Sequence, residues 1–431
     1  MNKVVKFNRK SKERIVYVFF AFFICTYNNL YFMWSSYDSQ IISSIFKLLQ
    51  HLLVICLLAY ALYSNETKLH VRASQLLAIS MGLVIFVHVN FMGAEYYNDS
   101  ILLCFDVIFA IIALFKLNVV QKTNLYETVL TVFAIITLPS LIYYVLYLIG
   151  MNIPYSVLAS DNAGKVARGI WYMHFPFGLL AREPYTLARY CGLFDEPGVV
   201  GTMCALLFAG GYRRCNKKIL MLILVEGIMS LSMAFYLLLI IFFIAEAFNR
   251  GAFKLAITGS ILVLLLYVFI NGSFENELLL TLQKRIDFSS FFLVKDNRTS
   301  EMFDRAYQQF IDEGGYSLFM GKGGFGAYAN NPQMFGANSY KCIIYDLGII
   351  GFIEYICFFV ICIFTQKWRK DYIPFLAVFV ASVYQRAYVF KASWVCIFIL
   401  TLSYINYREV ERSGRELRSF SDIGIVQSRL S

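Results

Sequence analysis

The sequence is poor in charged residues. Only 15% of its 431 residues are Asp, Glu, Lys or Arg, whereas an average soluble domain contains about 25%. Apolar side chains make up 59% of the chain. A soluble domain of this length cannot bury so much apolar surface, because a large part of any folded surface faces water. The composition therefore excludes a soluble enzyme, a secreted disulfide scaffold and a disordered chain.

Histidine is scarce as well, and the cysteines lack the spacing of a metal site. The chain has four His and ten Cys. The cysteines form no C-x-x-C pair, and residues such as Cys25, Cys104 and Cys357 lie within apolar runs, which is typical of small buried apolar side chains. These absences argue against a zinc site. The sequence also lacks an internal repeat, which secondary carriers usually show between their two halves.

Long apolar runs, separated by short polar connections, fill most of the chain. One helical span needs about 20 apolar residues, so the composition corresponds to about 12 spans. Runs of this length also exclude an outer-membrane barrel, whose strands alternate. We predict an all-α multi-pass membrane protein in which residues 1–431 form a single polytopic domain. The spans are expected at 15–34, 41–63, 73–93, 100–117, 126–150, 197–211, 255–271, 339–365, 373–389 and 392–407. Residues 219–248 form either one tilted span or two short spans that turn at 230–232, and the charges favour two.

An excess of basic residues indicates how the chain is oriented. Lys and Arg number 38 against 28 Asp and Glu. In a membrane protein this excess marks the cytoplasmic loops, so we predict no nucleic-acid partner. The basic segments place both termini inside, with 408–431 as a cytoplasmic tail. Residues 151–196 and 272–337 then form two large outside loops, and 170–180 is apolar enough to lie on or dip into the membrane.

The two outside loops are the candidate functional regions, since connections of this length usually have a function or are disordered. They are rich in Tyr, Phe and Arg, residues whose rings stack on sugars and whose guanidinium groups bind phosphate. In the first loop, Asp195 and Glu196 precede Pro197 at an expected helix start. The acids are either a simple helix cap or a site in which one of them acts as general base or orients a sugar hydroxyl.

The second loop contains the motif Gly321-Lys-Gly-Gly-Phe-Gly326. A glycine-rich turn lets backbone N–H groups approach an anion closely, although it is also compatible with a flexible turn. It is neither a Walker loop nor a dinucleotide fingerprint. The segment Asn338-Ser-Tyr340 then opens a helix, in which Gly348 and Gly351 favour close helix packing.

Five of the ionisable residues within predicted spans, where such groups are costly, stand out. They are His88, Asp106, Glu226, Glu354 and Arg386. Either they line the path of an ion-coupled transporter or they bond neighbouring helices to each other, which we favour. Arg386 is placed near the outer end of its span, where it could join the site.

The order of these features resembles the O-antigen polymerase (Wzy) group, within the wider superfamily of O-antigen polymerases and ligases. The similarity lies in the topology and in the motifs at 189–197, Arg298, 321–326, 338–340 and 348–351. It implies a GT-C-like membrane glycosyltransferase, without metal or cofactor, at the periplasmic face of the bacterial inner membrane. Such an enzyme joins oligosaccharide repeat units carried on undecaprenyl pyrophosphate. Ligase-type members often carry His before the Asn of the second-loop motif, where this chain has Ala337.

The resemblance also implies residue roles and partners. Arg298 and Arg305 would grip the pyrophosphate with help from Arg189, and Glu196 or Asp195 would be the base. The remaining expected substrate contacts are Arg168, Lys322, Asn338 and Tyr340. The partners would be a lipid-linked oligosaccharide, membrane lipid, a chain-length regulator and a flippase. A ligase or another lipid-linked glycan transferase, and a flippase or secondary carrier, remain the alternatives.

Overall fold

The structure is a computed structural model of a helical membrane protein. It describes residues 2–27, 30–33, 40–64, 72–92, 100–159, 169–183, 187–249, 251, 257, 259, 261, 301–323, 339–386 and 390–428. By length and composition, four of the described helices are apolar enough to cross a membrane: Ile41–Ser64, Ala73–Met92, Val119–Leu148 and Tyr340–Phe364. Shorter apolar helices accompany them at Pro197–Gly211 and Met233–Asn249. The helical fold class is confirmed, and the total of about 12 spans stays a prediction.

Most helices cover predicted apolar runs. The helices are α1 (Asn2–Thr26), α2 (Gln40–Ser64), α3 (Ala73–Val87, continuing as the π-helical turn His88–Met92), α4 (Ser100–Lys116), α5 (Val119–Leu148), α6 (Pro197–Gly211), α7 (Lys217–Met229), α8 (Met233–Asn249), α9 (Glu301–Glu313), α10 (Gly315–Met320), α11 (Tyr340–Phe364), α12 (Ile373–Gln385) and α13 (Ala392–Ser428). However, α1 begins and ends earlier than the span expected at 15–34, and α13 continues into the predicted tail 408–431. The helices α9 and α10 lie within the predicted second loop, 272–337. Short 3-10 helices lie at Tyr31–Met33 and Lys370–Tyr372. Residues 255–271, expected as a span, fall almost entirely outside the described residues.

Local capping fixes where several helices begin. The backbone N–H of Gln121 donates to the Asn118 side-chain oxygen, and the backbone N–H of Asn118 donates to the Gln121 side-chain oxygen. Both distances are 2.9 Å. This capping box satisfies two N–H groups that the first turn of α5 leaves unpaired. The Ser339 hydroxyl accepts from the Lys341 N–H at 3.2 Å and starts α11 in the same way. The sequence therefore sets these boundaries through single polar side chains.

The long apolar run at 219–248 folds as two helices, as the charges indicated. α7 ends at Met229 and α8 begins at Met233. Between them Leu231 has a φ of 48°, and the Ser230 hydroxyl donates to the Gly227 carbonyl at 2.6 Å. Residues 230–232 thus form the expected turn.

Segments predicted to lie on the same side of the membrane meet at one end of the helix bundle. The Arg214 Nε donates to Glu409 at 3.1 Å, and the Arg369 Nε donates to Asn406 at 2.8 Å. We call this the basic end, because Arg213, Arg214, Arg369 and Lys370 lie there. These contacts agree with the predicted alternation of short connections between two sides.

The first large loop folds as a four-stranded antiparallel sheet with strand order β1-β2-β3-β4. The strands are β1 (Ser156–Ala159), β2 (Trp171–Phe175), β3 (Gly178–Arg182) and β4 (Arg189–Gly192). Since α6 begins just after β4 and ends at Gly211, shortly before Arg213, the sheet lies at the end opposite the basic end. We call this the sheet end.

Residues 170–180 do not form the surface-lying or dipping segment that we expected. They supply most of β2 and β3, and Leu179 and Leu180 are fully buried. A Cβ atom at Gly178 would collide with the Ser140 side chain, so β3 lies directly on α5. The Tyr190 hydroxyl donates to the Thr137 carbonyl at 2.8 Å and fixes β4 to the same helix. Apolar side chains here are covered by neighbouring protein segments, which a hydropathy profile cannot distinguish from lipid.

Gly348 and Gly351 allow close packing, as predicted: Gly348 faces backbone atoms, and Gly351 faces the side chains of Leu347 and His88. Gly348 has a φ of 66° and breaks α11. A Cβ atom there would collide with the Phe319 carbonyl at the end of α10, and one at Gly321 would collide with the Asp346 carbonyl. The end of α10 and the residue after it therefore cross α11 at a distance that only glycine permits.

His88 secures the same crossing from the side of α3. Its Nδ1 lies 2.8 Å from a Glu354 carboxylate oxygen of α11. Its Nε2 lies 3.0 Å from the Met320 carbonyl oxygen at the end of α10. The histidine sits in the π-helical turn, a feature that reorients side chains within a helix. One imidazole ring thus connects α3, α10 and α11.

The other ionisable groups of the spans also bond helices together, as we favoured. Asp106 of α4 accepts from the Tyr27 hydroxyl at 2.6 Å and contacts His51 of α2 at the same distance. The buried Glu226 of α7 accepts from the Thr137 hydroxyl of α5 at 2.8 Å. Such hydrogen bonds satisfy polar groups that the bilayer interior cannot solvate.

Candidate functional site

Glu196 occupies the N-cap position of α6, but its carboxylate does not cap the helix. Its backbone is extended, with φ −148° and ψ 144°, and its side chain makes no capping hydrogen bond. Pro197 occupies the first turn, where its missing N–H costs nothing. The carboxylate instead accepts from the Arg386 guanidinium, with Oε2 3.1 Å from Nη2. The simple-cap interpretation therefore does not describe this side chain.

Arg386 reaches Glu196 because three neighbours shape its position. α12 ends at Gln385, and Arg386 has extended backbone with φ −140° and ψ 93°. Its Nε donates to the Thr202 hydroxyl at 3.3 Å. Gly198 leaves room for the guanidinium, since a Cβ atom there would lie 2.5 Å from Nη2. The Arg386 side chain is 13% exposed and that of Glu196 is 31% exposed, so the carboxylate is the accessible member of the pair.

Two further charged residues lie beside this pair. The Tyr172 hydroxyl of β2 donates to the Asp195 backbone carbonyl at 3.0 Å, which ties the sheet to the site. A short connection joins α12 to α13. Arg386 stands at its start, and Lys391 stands at its end, directly before α13. Burial lowers the pKa of Lys391 and nearby Arg386 lowers it further, while Asp195 acts in the opposite direction. The sheet end thus gathers two carboxylates and two cations.

Tyr340 packs next to the helix end that carries Arg386. Its ring stacks on the ring of Tyr384, with centroids 5.5 Å apart and planes at 26°. Tyr384 belongs to the last turn of α12 and is 54% exposed. The exposed ring of Tyr384, two residues before Arg386, is a surface on which a sugar ring can stack.

Arg189 and Arg305, both expected to contact the pyrophosphate, lie beside different carboxylates. The Arg189 guanidinium of β4 is 2.5 Å from a Glu183 carboxylate oxygen, so a bound phosphate would share it with Glu183. Arg305 lies on α9, where its side chain is 80% exposed and 3.9 Å from Glu301. Neither contact brings its arginine to the Glu196–Arg386 pair, and their substrate roles stay predictions.

In the described part of the glycine-rich turn, the backbone N–H groups donate to backbone carbonyls of the protein itself. The N–H groups of Gly321, Lys322 and Gly323 donate to the carbonyls of Ser317, Tyr345 and Asp346 at 2.7 to 2.9 Å. Residues 321–323 therefore act as a packing element, and their N–H groups are not directed at an anion. The Lys322 ammonium is 3.9 Å from a Glu313 carboxylate oxygen. Three further predicted site residues, Arg168, Arg298 and Asn338, lie outside the described residues.

Sequence reasoning found Glu196, Asp195, Tyr340 and the possible role of Arg386. It missed Thr202, Gly198, Tyr384 and Lys391. A usable signal was present, because Arg386 and Lys391 flank a short connection between two apolar runs on the side assigned to the large loops. Tyr384 lies in the last turn before that connection.

No group of three or more His, Cys, Asp or Glu side chains among the residues that the structure describes is arranged to hold a metal ion. No protein-family model matches the chain, and no curated protein matches it either. The function must therefore be inferred from the residues of the chain itself.

Proposed function

We propose that this protein is an O-antigen polymerase, a membrane glycosyltransferase that joins lipid-linked oligosaccharide repeat units. In this proposal the chain has about 12 spans in a GT-C-like arrangement, with the sheet end at the periplasmic face of the inner membrane and both termini in the cytoplasm. The observation that carries the proposal is the Glu196–Arg386 pair, an accessible carboxylate held by a shielded guanidinium at the sheet end.

Glycosyl transfer needs a base for the acceptor and a cation for the leaving group. A sugar hydroxyl of the incoming unit attacks the anomeric carbon of the growing chain, and its proton passes to the Glu196 carboxylate. The bond between that carbon and undecaprenyl pyrophosphate breaks, and the pyrophosphate leaves with the electron pair. Arg386 orients the Glu196 carboxylate through their contact and stabilises the negative charge that develops on the pyrophosphate. Asp195 is the alternative base in this scheme.

The remaining predicted contacts extend the proposed site outward. Tyr340 and Tyr384 offer rings for sugar stacking beside Arg386. Arg298, Arg305 and Arg189 are the proposed pyrophosphate contacts, and the further substrate contacts are Arg168, Lys322 and Asn338. A flippase would deliver the lipid-linked unit, and a chain-length regulator would set the length of the product.

The test is a gel of surface glycolipid from a strain that lacks the gene. We expect the ladder of repeat units to collapse to core plus one repeat unit and to return when the gene is restored. Restoration with E196Q, at wild-type abundance in the membrane, should leave the single repeat. Loss of even the single repeat in the deletion strain would reject a polymerase and would favour export or ligation.

A further inference from the structure

A charged cavity lies at the basic end, on the far side of the bundle from the proposed active site. Its volume is about 260 Å³. It forms where the ends of α6 and α8 meet the 3-10 helix before α12 and the middle of α13. The lining residues are Tyr212, Arg213, Arg214, Glu246, Asn249, Lys370, Asp371 and Glu409.

The cavity is charged but balanced, because three cations face three carboxylates. Arg214 is hydrogen-bonded within the protein. Its Nε donates to Glu409 at 3.1 Å, and its Nη1 donates to the Tyr212 carbonyl at 3.2 Å. A lone anion would meet the carboxylates here, and a lone cation would meet the basic groups. The balance favours a ligand that carries both charges.

Two cationic groups remain accessible at the cavity. The Arg213 side chain is 44% exposed, and its Nη1 is 3.9 Å from a Glu246 carboxylate oxygen, beyond hydrogen-bonding distance. The Arg213 guanidinium also lies 5.1 Å from the centre of the Tyr212 ring, which holds its direction. Lys370 is exposed, and the Asp371 side chain is 41% exposed. Cationic and anionic side chains are therefore both within reach of one small ligand.

Exposed aromatic side chains indicate the depth of this cavity. Trp368 lies two residues before Lys370 and is 53% exposed, and Phe248 adjoins Asn249 and is 66% exposed. Tryptophan and tyrosine gather where a membrane protein crosses from lipid chains to headgroups. The exposed Trp368 therefore supports a position of the cavity at the level of the phospholipid headgroups.

We propose that this cavity binds the phosphoethanolamine headgroup of a zwitterionic phospholipid. The lipid phosphate accepts from Arg213 and Lys370, and the primary ammonium donates to Glu246 and Asp371. Charge-assisted hydrogen bonds of this kind need N–H donors on the lipid, which a choline headgroup lacks. The inference stands apart from the proposed glycosyltransferase activity, because it concerns the opposite end of the bundle.

The experiment measures lipid retention by the full-length protein in native mass spectrometry. The protein is exchanged into nanodiscs of phosphatidylethanolamine, phosphatidylcholine or phosphatidylglycerol before release. We expect wild-type protein to retain phosphatidylethanolamine, and E246Q and R213Q each to retain it about tenfold less, since each loses a charge-assisted contact. The control K217Q removes an exposed lysine at the same end that does not line the cavity, and it should behave as wild type.

Three results would overturn the proposal. One is equal retention of phosphatidylcholine and phosphatidylethanolamine, and another is equal retention of phosphatidylglycerol. The third is displacement of the lipid by soluble phosphoethanolamine alone, which would assign the cavity to a soluble ligand. Variant protein that melts as wild type does in phosphatidylcholine nanodiscs shows that any loss of retention is not a loss of folding.

Discussion

The Arg386 guanidinium lies 3.1 Å from the Glu196 carboxylate, although the two residues are 190 positions apart in the chain. One terminates α12 and the other precedes α6, so the pair holds two helix ends together at the sheet end. Removing Glu196 leaves the shielded Arg386 guanidinium without its counter-charge, which is costly in a partly desolvated place.

We expect R386Q and E196Q each to lower polymerisation by about 100-fold or more, since each removes a group proposed to act in the transition state. The length distribution of surface glycolipid measures this loss, with immunoblots of membranes to show that the protein persists. K218Q, an exposed lysine at the basic end, is the matched control and should keep the full ladder.

Exchanging the two charges separates catalysis from helix attachment. The double variant E196R/R386E restores an ion pair but moves the carboxylate to the other helix. Thermal stability in detergent should return toward wild type, while polymerisation stays absent. Recovery of the ladder in this variant would mean that the pair is only a structural link.

The stacked pair Tyr340–Tyr384 should contribute to binding of the sugar substrate. We expect Y384A to raise the acceptor KM several-fold with little change in kcat, because stacking holds the ground state and the transition state alike. Y384F keeps the ring and should act as wild type in an assay with purified lipid-linked repeat units. An equal effect of both substitutions would point to the hydroxyl and would contradict a stacking role.

The backbone crossing at Gly348 makes a separate prediction. G348A combines a φ of 66° with a collision against the Phe319 carbonyl, and its midpoint of thermal unfolding in detergent should fall strongly. Gly315 has a φ of 64°, and a Cβ atom added there would meet nothing within 4 Å. G315A therefore measures the conformational cost alone, about 1–2 kcal/mol. Similar losses in both variants would show that the close approach is unimportant.

The sheet should loosen in mild acid through His174. Its Nδ1 lies 2.9 Å from the hydroxyl of Ser156, the residue opposite it on β1. Burial lowers the pKa of His174 below its ordinary value of 6.5, so below that pH the unfolded state binds the proton more readily than the folded state. Stability of the β1–β2 pair is then present above 6.5 and declines as pH falls through the folded-state pKa.

Limited proteolysis of the first loop at about pH 7.5 and about pH 5.5 tests this dependence. Cleavage of wild-type protein should rise at the lower pH relative to H174Q, which lacks the titrating group. Identical ratios in the two proteins would show that His174 does not control the sheet.

Hydropathy predicted most of the apolar helices because each span is encoded locally, whereas α9 and α10 fall in a segment too polar for it to detect. The start of α6 at Pro197 and the turn at 230–232 follow from the residues at those positions and their immediate neighbours. The sheet was not predicted, since the apolar residues of β2 and β3 have the composition of a membrane-surface segment and their partners lie elsewhere in the chain.

The site was predictable only in part, for a similar reason. Asp195 and Glu196 were found from a local motif at a helix start. The Glu196–Arg386 pair depends on how α12 packs against α6, and nothing near either residue encodes that distance. Gly198 and Thr202 matter only once Arg386 is placed above them, so neither could be identified from its own surroundings.

The joint formed by His88 bears on how the protein responds to voltage. The Met320 carbonyl can only accept, so Nε2 carries a proton, and the 2.8 Å contact between Nδ1 and Glu354 requires one more proton between them. Wherever that proton resides, the two side chains together have no net charge. A single charge crossing the membrane field would exchange about 2.3 kcal/mol per 100 mV. The neutral His88–Glu354 pair therefore adds no net charge to the place where α10 is attached to α3 and α11.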